Sequence, residues 1–187
     1  MKKLLVVLAL MMPMFLNAQE KEAKSNSKTL EFLEKDGSIL KKEFYDLPSV
    51  GRSYNITENQ VLIITDLKSN DKRGCFRIIT KYSSSVTSDT YIGTLDPDEL
   101  DAAILSLEKI LNEVIPNKAE TYTEVAYKTR DGVQIGTYWN DKKNEWTLYV
   151  QTKSYTARSM STFKSDEITT LVDNLKKAKQ MIAEKTK

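Results

Sequence analysis

The chain has 187 residues, 40% of them hydrophobic, with 28 basic and 26 acidic side chains, one cysteine and no histidine. The missing histidine excludes Ser-His-Asp and Cys-His nucleophilic mechanisms, histidine general bases and most zinc sites. A single cysteine allows no intramolecular disulfide, and Cys75, at the head of an apolar strand, reads as a small core filler rather than a nucleophile.

Residues 1–18 read as a secretory signal. Lys2 and Lys3 precede the apolar run Leu4–Leu16, and Leu16-Asn17-Ala18 ends on a small residue suited to cleavage. The run is shorter than the roughly 20 apolar residues of a comfortable membrane span, and no Cys follows it to carry a lipid. The expectation is export to the periplasm or beyond, cleavage after Ala18 and no membrane span in the mature chain. Residues 1–18 hold two lysines and no acid, so their removal leaves 26 acidic side chains balanced by as many basic ones. Proteins that bind nucleic acid generally replace its counterions with a basic excess, so nucleic acid is an unlikely partner here. Residues 19–28 are polar and charged and read as a tether.

Next, Thr29–Leu47 reads as a hairpin around Asp36-Gly37, a dipeptide suited to a tight turn, with Leu30, Phe32, Ile39 and Phe44 as its apolar positions. Pro48–Asn59 reads as a loop. It contains the sequon Asn55-Ile56-Thr57, which a bacterial-style leader makes a chance match. Strands follow at Val61–Leu67 and Gly74–Tyr82, and Leu95 leads into a helix over Pro97–Ile115.

That succession then recurs. Thr121–Thr129 enters a turn at Asp131-Gly132, strands cover Val133–Trp139 and Glu145–Thr152, Lys153–Met160 is expected as a fourth strand, and Phe163 leads into a helix over Ser165–Ile182. The apolar stripe of the earlier helix is Leu100, Ala103, Ile104, Leu107, Ile110, Leu111 and Val114. Sixty-eight positions on stand Ile168, Leu171, Val172, Leu175, Ala178, Lys179 and Ile182, apolar at all but Lys179. The expected fold class is α+β: antiparallel sheets with two amphipathic helices, built as a duplicated ββββα unit. A first unit would span residues 29–118 and a second 119–187, joined in one domain, each helix covering its own strands.

The acidic run Asp96-Pro97-Asp98-Glu99-Leu100-Asp101 has the composition of a cation site but the order of a helix start. Asp96 suits the N-cap, Pro97 the first turn and Glu99 a capping box, with Leu95 and Leu100 as a hydrophobic staple. In the second unit Val133, Ile135, Thr137 and Trp139 share one face, as do Trp146, Leu148 and Val150. Gln134, Gly136, Tyr138, Glu145, Thr147, Tyr149 and Gln151 fall on the opposite face, expected to meet water.

Unit by unit, four antiparallel strands followed by a helix resembles the Whirly single-strand-binding proteins and related transcriptional coactivator domains. Gly93-Thr94-Leu95-Asp96-Pro97-Asp98-Glu99 is similar to the Gly, Leu, Asx-Pro and acidic pattern that enters the coactivator helix. The resemblance implies a sheet-and-helix fold over most of residues 60–183 and, in those families, single-stranded nucleic acid as the ligand.

Three function classes follow. The first is a non-enzymatic binding module that takes a protein, peptide or glycan on the outer sheet face, through Tyr138, Tyr149, Lys153, Tyr155 and Arg158, since aromatics and Arg concentrate binding energy. The second is single-strand nucleic-acid binding by the same face, with bases stacked on aromatics beside cations. The third is a histidine-free hydrolase using Asp or Glu, for which no carboxylate pair stands out. The first is the expectation, with no cofactor or metal; the sequence carries no signal for an oligomeric state.

Overall fold

The computed structural model describes residues 27–52 and 55–187; the signal segment and the tether up to residue 26 lie outside the described residues. A short helix α1 (Lys28–Leu33) precedes β1 (Leu40–Arg52), β2 (Asn55–Asp66), β3 (Lys72–Ser83) and β4 (Ser88–Leu95). Helix α2 (Leu100–Lys109) follows, with a single turn of 3-10 helix before it and a π turn at Ile110–Val114 after it. The second set is β5 (Glu124–Lys128), β6 (Gln134–Asn140), β7 (Glu145–Gln151), β8 (Met160–Phe163) and α3 (Ile168–Lys185). Each set of strands forms a four-stranded antiparallel sheet in sequential order. The duplicated α+β arrangement is therefore present.

The alternation read in the second unit sorts inside from outside: Val133, Ile135, Thr137, Trp139, Trp146, Leu148 and Val150 are all buried. These residues, save Thr137 and the two tryptophans, join one continuous core with the inner face of the first sheet (Val61, Ile63, Phe76, Ile78) and with the buried stripes of α2 and α3. Lys179, the one polar position of the repeat, sits outside this core and pairs with Asp101 of α2.

Three local expectations are corrected. Residues 28–33 are helical rather than the first arm of a hairpin. Ser27 caps the helix by accepting from the Leu30 N–H, and the buried Asp96 carboxylate accepts from the N–H groups of Lys28 (2.8 Å) and Thr29 (3.0 Å). A carboxylate distant in sequence thus supplies acceptors for a helix start that local propensity does not reveal. Phe32 and Leu33 of α1 then cover Leu62, Ile64 and Cys75 on the outer face of the first sheet. The stretch Pro48–Asn59 is mostly strand, because Pro48 stands on an edge strand where the register shifts between Leu47 and Val50, a place that tolerates a missing N–H. Of the expected strand Lys153–Met160 only Met160 is strand; the rest is a turn and a single turn of 3-10 helix, Ala157–Ser159, with the one proton of the Ser159 hydroxyl shared between the carbonyls of Lys153 (2.8 Å) and Thr156 (2.7 Å).

The helices are also exchanged between units. Instead of covering its own strands, α3 packs on β1, β2 and β3, while α2 packs on α3 and on β5. α3 lies along the first sheet, whose inner strands run to 12 residues, and α2, continued by its π turn to Val114, lies between α3 and the second sheet. Two glutamates clasp the exchange. Glu99 accepts from its own N-cap, Asp96 N–H, at 2.9 Å and from Arg130 N–H between β5 and β6 at 2.7 Å. Glu167, its counterpart sixty-eight positions on, accepts from Lys164 N–H at 3.0 Å and from Gly51 N–H at the end of β1 at 2.8 Å. Each helix start therefore holds the first hairpin of the other unit.

Candidate functional site

The outer face of the second sheet follows from the register. Tyr138 stands opposite Glu124 on one side and Thr147 on the other, Gly136 stands opposite Tyr149, and Gln134 stands opposite Gln151. Three tyrosine rings line up across this face. Tyr122 and Tyr138 have centroids 6.4 Å apart, and Tyr138 and Tyr149 are 6.2 Å apart, both pairs tilted. Tyr122 is 60% exposed and Tyr138 half-buried, whereas Tyr149 is 3% exposed. Tyr149 stands opposite Gly136 on this face, and the outward position that alternation assigns to it does not bring it to solvent.

The electrostatics of the face are acidic to neutral. The Tyr122 hydroxyl donates to the Glu124 carboxylate, and that bond holds the phenol proton so that its pKa is pushed up to about 12. Burial, reinforced by the charge of Glu124, raises that of Tyr149. Glu145, exposed at the start of β7, pairs with Lys143 at 3.8 Å, and Lys128, exposed at the end of β5, forms no ion pair among the described residues.

The other expected site residues lie elsewhere. Arg158 pairs with Asp89 of β4 at 2.9 Å and lies over the Tyr82 ring of β3 at 5.3 Å, so it is committed to the first unit. Tyr155 is fully exposed at the tip of the β7–β8 connection with φ of 66°. Lys153 is half-buried in the same connection, and its N–H donates to the Ser159 hydroxyl. The structure therefore brings Tyr138 and Tyr149 together and leaves Lys153, Tyr155 and Arg158 out of the row. Sequence reasoning missed Tyr122, although extending the alternation of β5 back from Glu124 by two residues assigns it to the same face.

The acidic run forms a structural junction. Asp96 is fully buried and accepts from Ser27 Oγ (3.1 Å) and Arg130 Nη2 (3.1 Å) besides the N–H groups of α1. Asp98 is held well below the usual carboxylate range by hydrogen bonds from Arg130 and Lys28. Asp131 accepts from the N–H and hydroxyl of Thr94 at 2.9 and 3.2 Å. Every carboxylate here is engaged, and among the described residues no group of three His, Cys, Asp or Glu is placed to hold a metal ion. Cys75 is buried, and desolvation pushes its thiol up to about 12, which makes it inert. Among the described residues no helix is long and apolar enough to cross a membrane.

No protein-family model, curated protein or solved structure matches the chain.

Proposed function

We propose that the chain is an exported, non-enzymatic binding module that takes a protein, peptide or glycan ligand on the outer face of its second sheet, centred on Tyr138. The observation that carries this reading is the row of three tyrosine rings across the outer face of the second sheet. On the outer face of the first sheet α1 covers Leu62, Ile64 and Cys75, while Phe44 stands exposed with Arg77 over its ring at 5.3 Å. The second sheet carries the row Tyr122–Tyr138–Tyr149, and among the described residues no helix packs on it. Tyrosine supplies apolar area and a hydroxyl at low entropic cost, which suits it to recognition surfaces. Glu145 pairs with Lys143 and Glu124 is matched by Lys128, so the face carries no basic excess of the kind a polyanionic ligand requires.

The test is an NMR titration of the labelled chain with defined neutral oligosaccharides, model peptides and a single-stranded oligonucleotide. The expected result is binding of a peptide or glycan with shifts confined to Tyr122, Glu124, Tyr138, Thr147 and Gln151. Tyr138→Ala should weaken it by roughly tenfold or more, as for a central aromatic anchor. Shifts that map elsewhere, unchanged binding by Tyr138→Ala, or silence across the panel would remove the proposal. Oligonucleotide binding with a salt slope of about −0.7 per phosphate contact would replace it with the nucleic-acid reading.

A further inference from the structure

We infer that β5 is a self-pairing edge: two copies of the chain join β5 to β5 antiparallel about a two-fold axis at Ala126, making one continuous sheet of their two second sheets. β5 is a terminal strand of its sheet. Its inward hydrogen bonds are made by the odd-numbered residues: Trp139 N–H donates to the Thr123 carbonyl at 2.9 Å and Thr129 N–H to the Val133 carbonyl at 2.8 Å. In an antiparallel ladder the bonding direction alternates, so Glu124, Ala126 and Lys128 turn their N–H and C=O groups to the open edge. All three residues are exposed.

The side chains match this pairing. With Ala126 opposite Ala126 of the second copy, Glu124 falls opposite Lys128 and Lys128 opposite Glu124, giving two ion pairs on the outer face. On the inner face Val125 falls opposite Tyr127 in both directions, and both side chains are half-buried against the core rim. A methyl group at the axis leaves the backbones free to approach. The same register puts outward-facing residues opposite each other, so the pairs at residues 124, 126 and 128 are the hydrogen-bonded ones. Opposite charges facing across strands favour a register, and like charges oppose it.

Other edges are less available. β1 carries Pro48 at its bulge, Asp131 takes the outward N–H of Thr94 on β4, and the four-residue β8 lies against β1. Pairing through β5 would also bring the two tyrosine faces onto one surface, and it stands independently of what those faces bind.

Sedimentation equilibrium of the full chain tests the inference, with circular dichroism as the control for folding. The wild type is expected to be a monomer–dimer system. Lys128→Glu sets two acids opposite each other twice and should weaken the dimer about tenfold or more. Glu124→Lys should do the same, and the double variant Glu124→Lys/Lys128→Glu should restore the dimer. Ala126→Pro removes an N–H that the β6 ladder does not use, and should leave the fold intact while abolishing the dimer. A wild type that stays monomeric at millimolar concentration overturns the inference. So does a dimer indifferent to the charge variants, or one that the double variant fails to restore.

Discussion

Replacing Glu99 by alanine removes the carboxylate that joins the start of α2 to the second sheet. Glu99 is 8% exposed and accepts two backbone N–H groups, from Asp96 at 2.9 Å and Arg130 at 2.7 Å. Hydrogen bonds to a charged acceptor are worth about 1.5–3 kcal/mol each, and a buried donor left without a partner keeps its desolvation cost. The expected loss for Glu99→Ala is therefore about 3–5 kcal/mol. Glu167→Ala breaks the matching contacts to Lys164 and Gly51, but Lys164 is exposed and water replaces one partner, so about 1–2 kcal/mol is expected. The two glutamates share no hydrogen-bond partner, and the double variant should add to within about 0.5 kcal/mol. Urea unfolding followed by Trp139 and Trp146 fluorescence and by far-ultraviolet dichroism measures all three, the agreement of the probes checking two-state behaviour. A Glu99→Ala loss below about 1 kcal/mol, or one no larger than that of Glu167→Ala, would refute the reasoning that buried backbone donors at the unit junction depend on this carboxylate.

A Cβ added at Gly93 would lie 2.1 Å from Val133 Cγ2, so Gly93→Ala should lower stability by about 1–3 kcal/mol, and Val133→Ala in that background should recover part of the loss. Strictly additive losses in thermal melts would show that β4 and the start of β6 do not approach this closely. Tyr122, whose phenol is pushed up to about 12 by Glu124, should ionise later than an ordinary tyrosine near 10. With the folded pKa raised, the stabilisation by this bond is whole below the ordinary value and is lost as pH rises through the folded one. Glu124→Gln should return the titration toward the ordinary value, and a tyrosine-labelled NMR titration that shows no difference would disprove the Tyr122–Glu124 bond.

Several features were legible in the sequence because neighbours along the chain decide them. The alternation of Val133–Trp139 and Trp146–Val150 separates a buried face from an outer one, as the burial bears out. The run Asp96–Glu99 is a capping box, and the matched stripes of the two helices are buried at Leu100, Ala103, Leu107, Ile168, Leu171 and Leu175. Duplication was visible for the same reason, since each copy repeats its own local pattern.

Tertiary structure decided the rest. α1 has a local cap in Ser27, but two of its first N–H groups find their acceptor in Asp96, distant in sequence and carried there by β4. Tyr149 is 3% exposed on the face that period assigns to solvent, packed beside the Tyr138 ring of the neighbouring strand. Tyr122 enters the aromatic row, and Arg158 leaves it for Asp89, through contacts made between strands and between units. The amphipathic stripe of α3 specifies an apolar face but names no partner. The first sheet receives it, α3 lying on β1, β2 and β3. Periodicity determined which side of each element is buried, and contacts with elements distant in the chain, such as Glu99 with Arg130 and Glu167 with Gly51, determined against what.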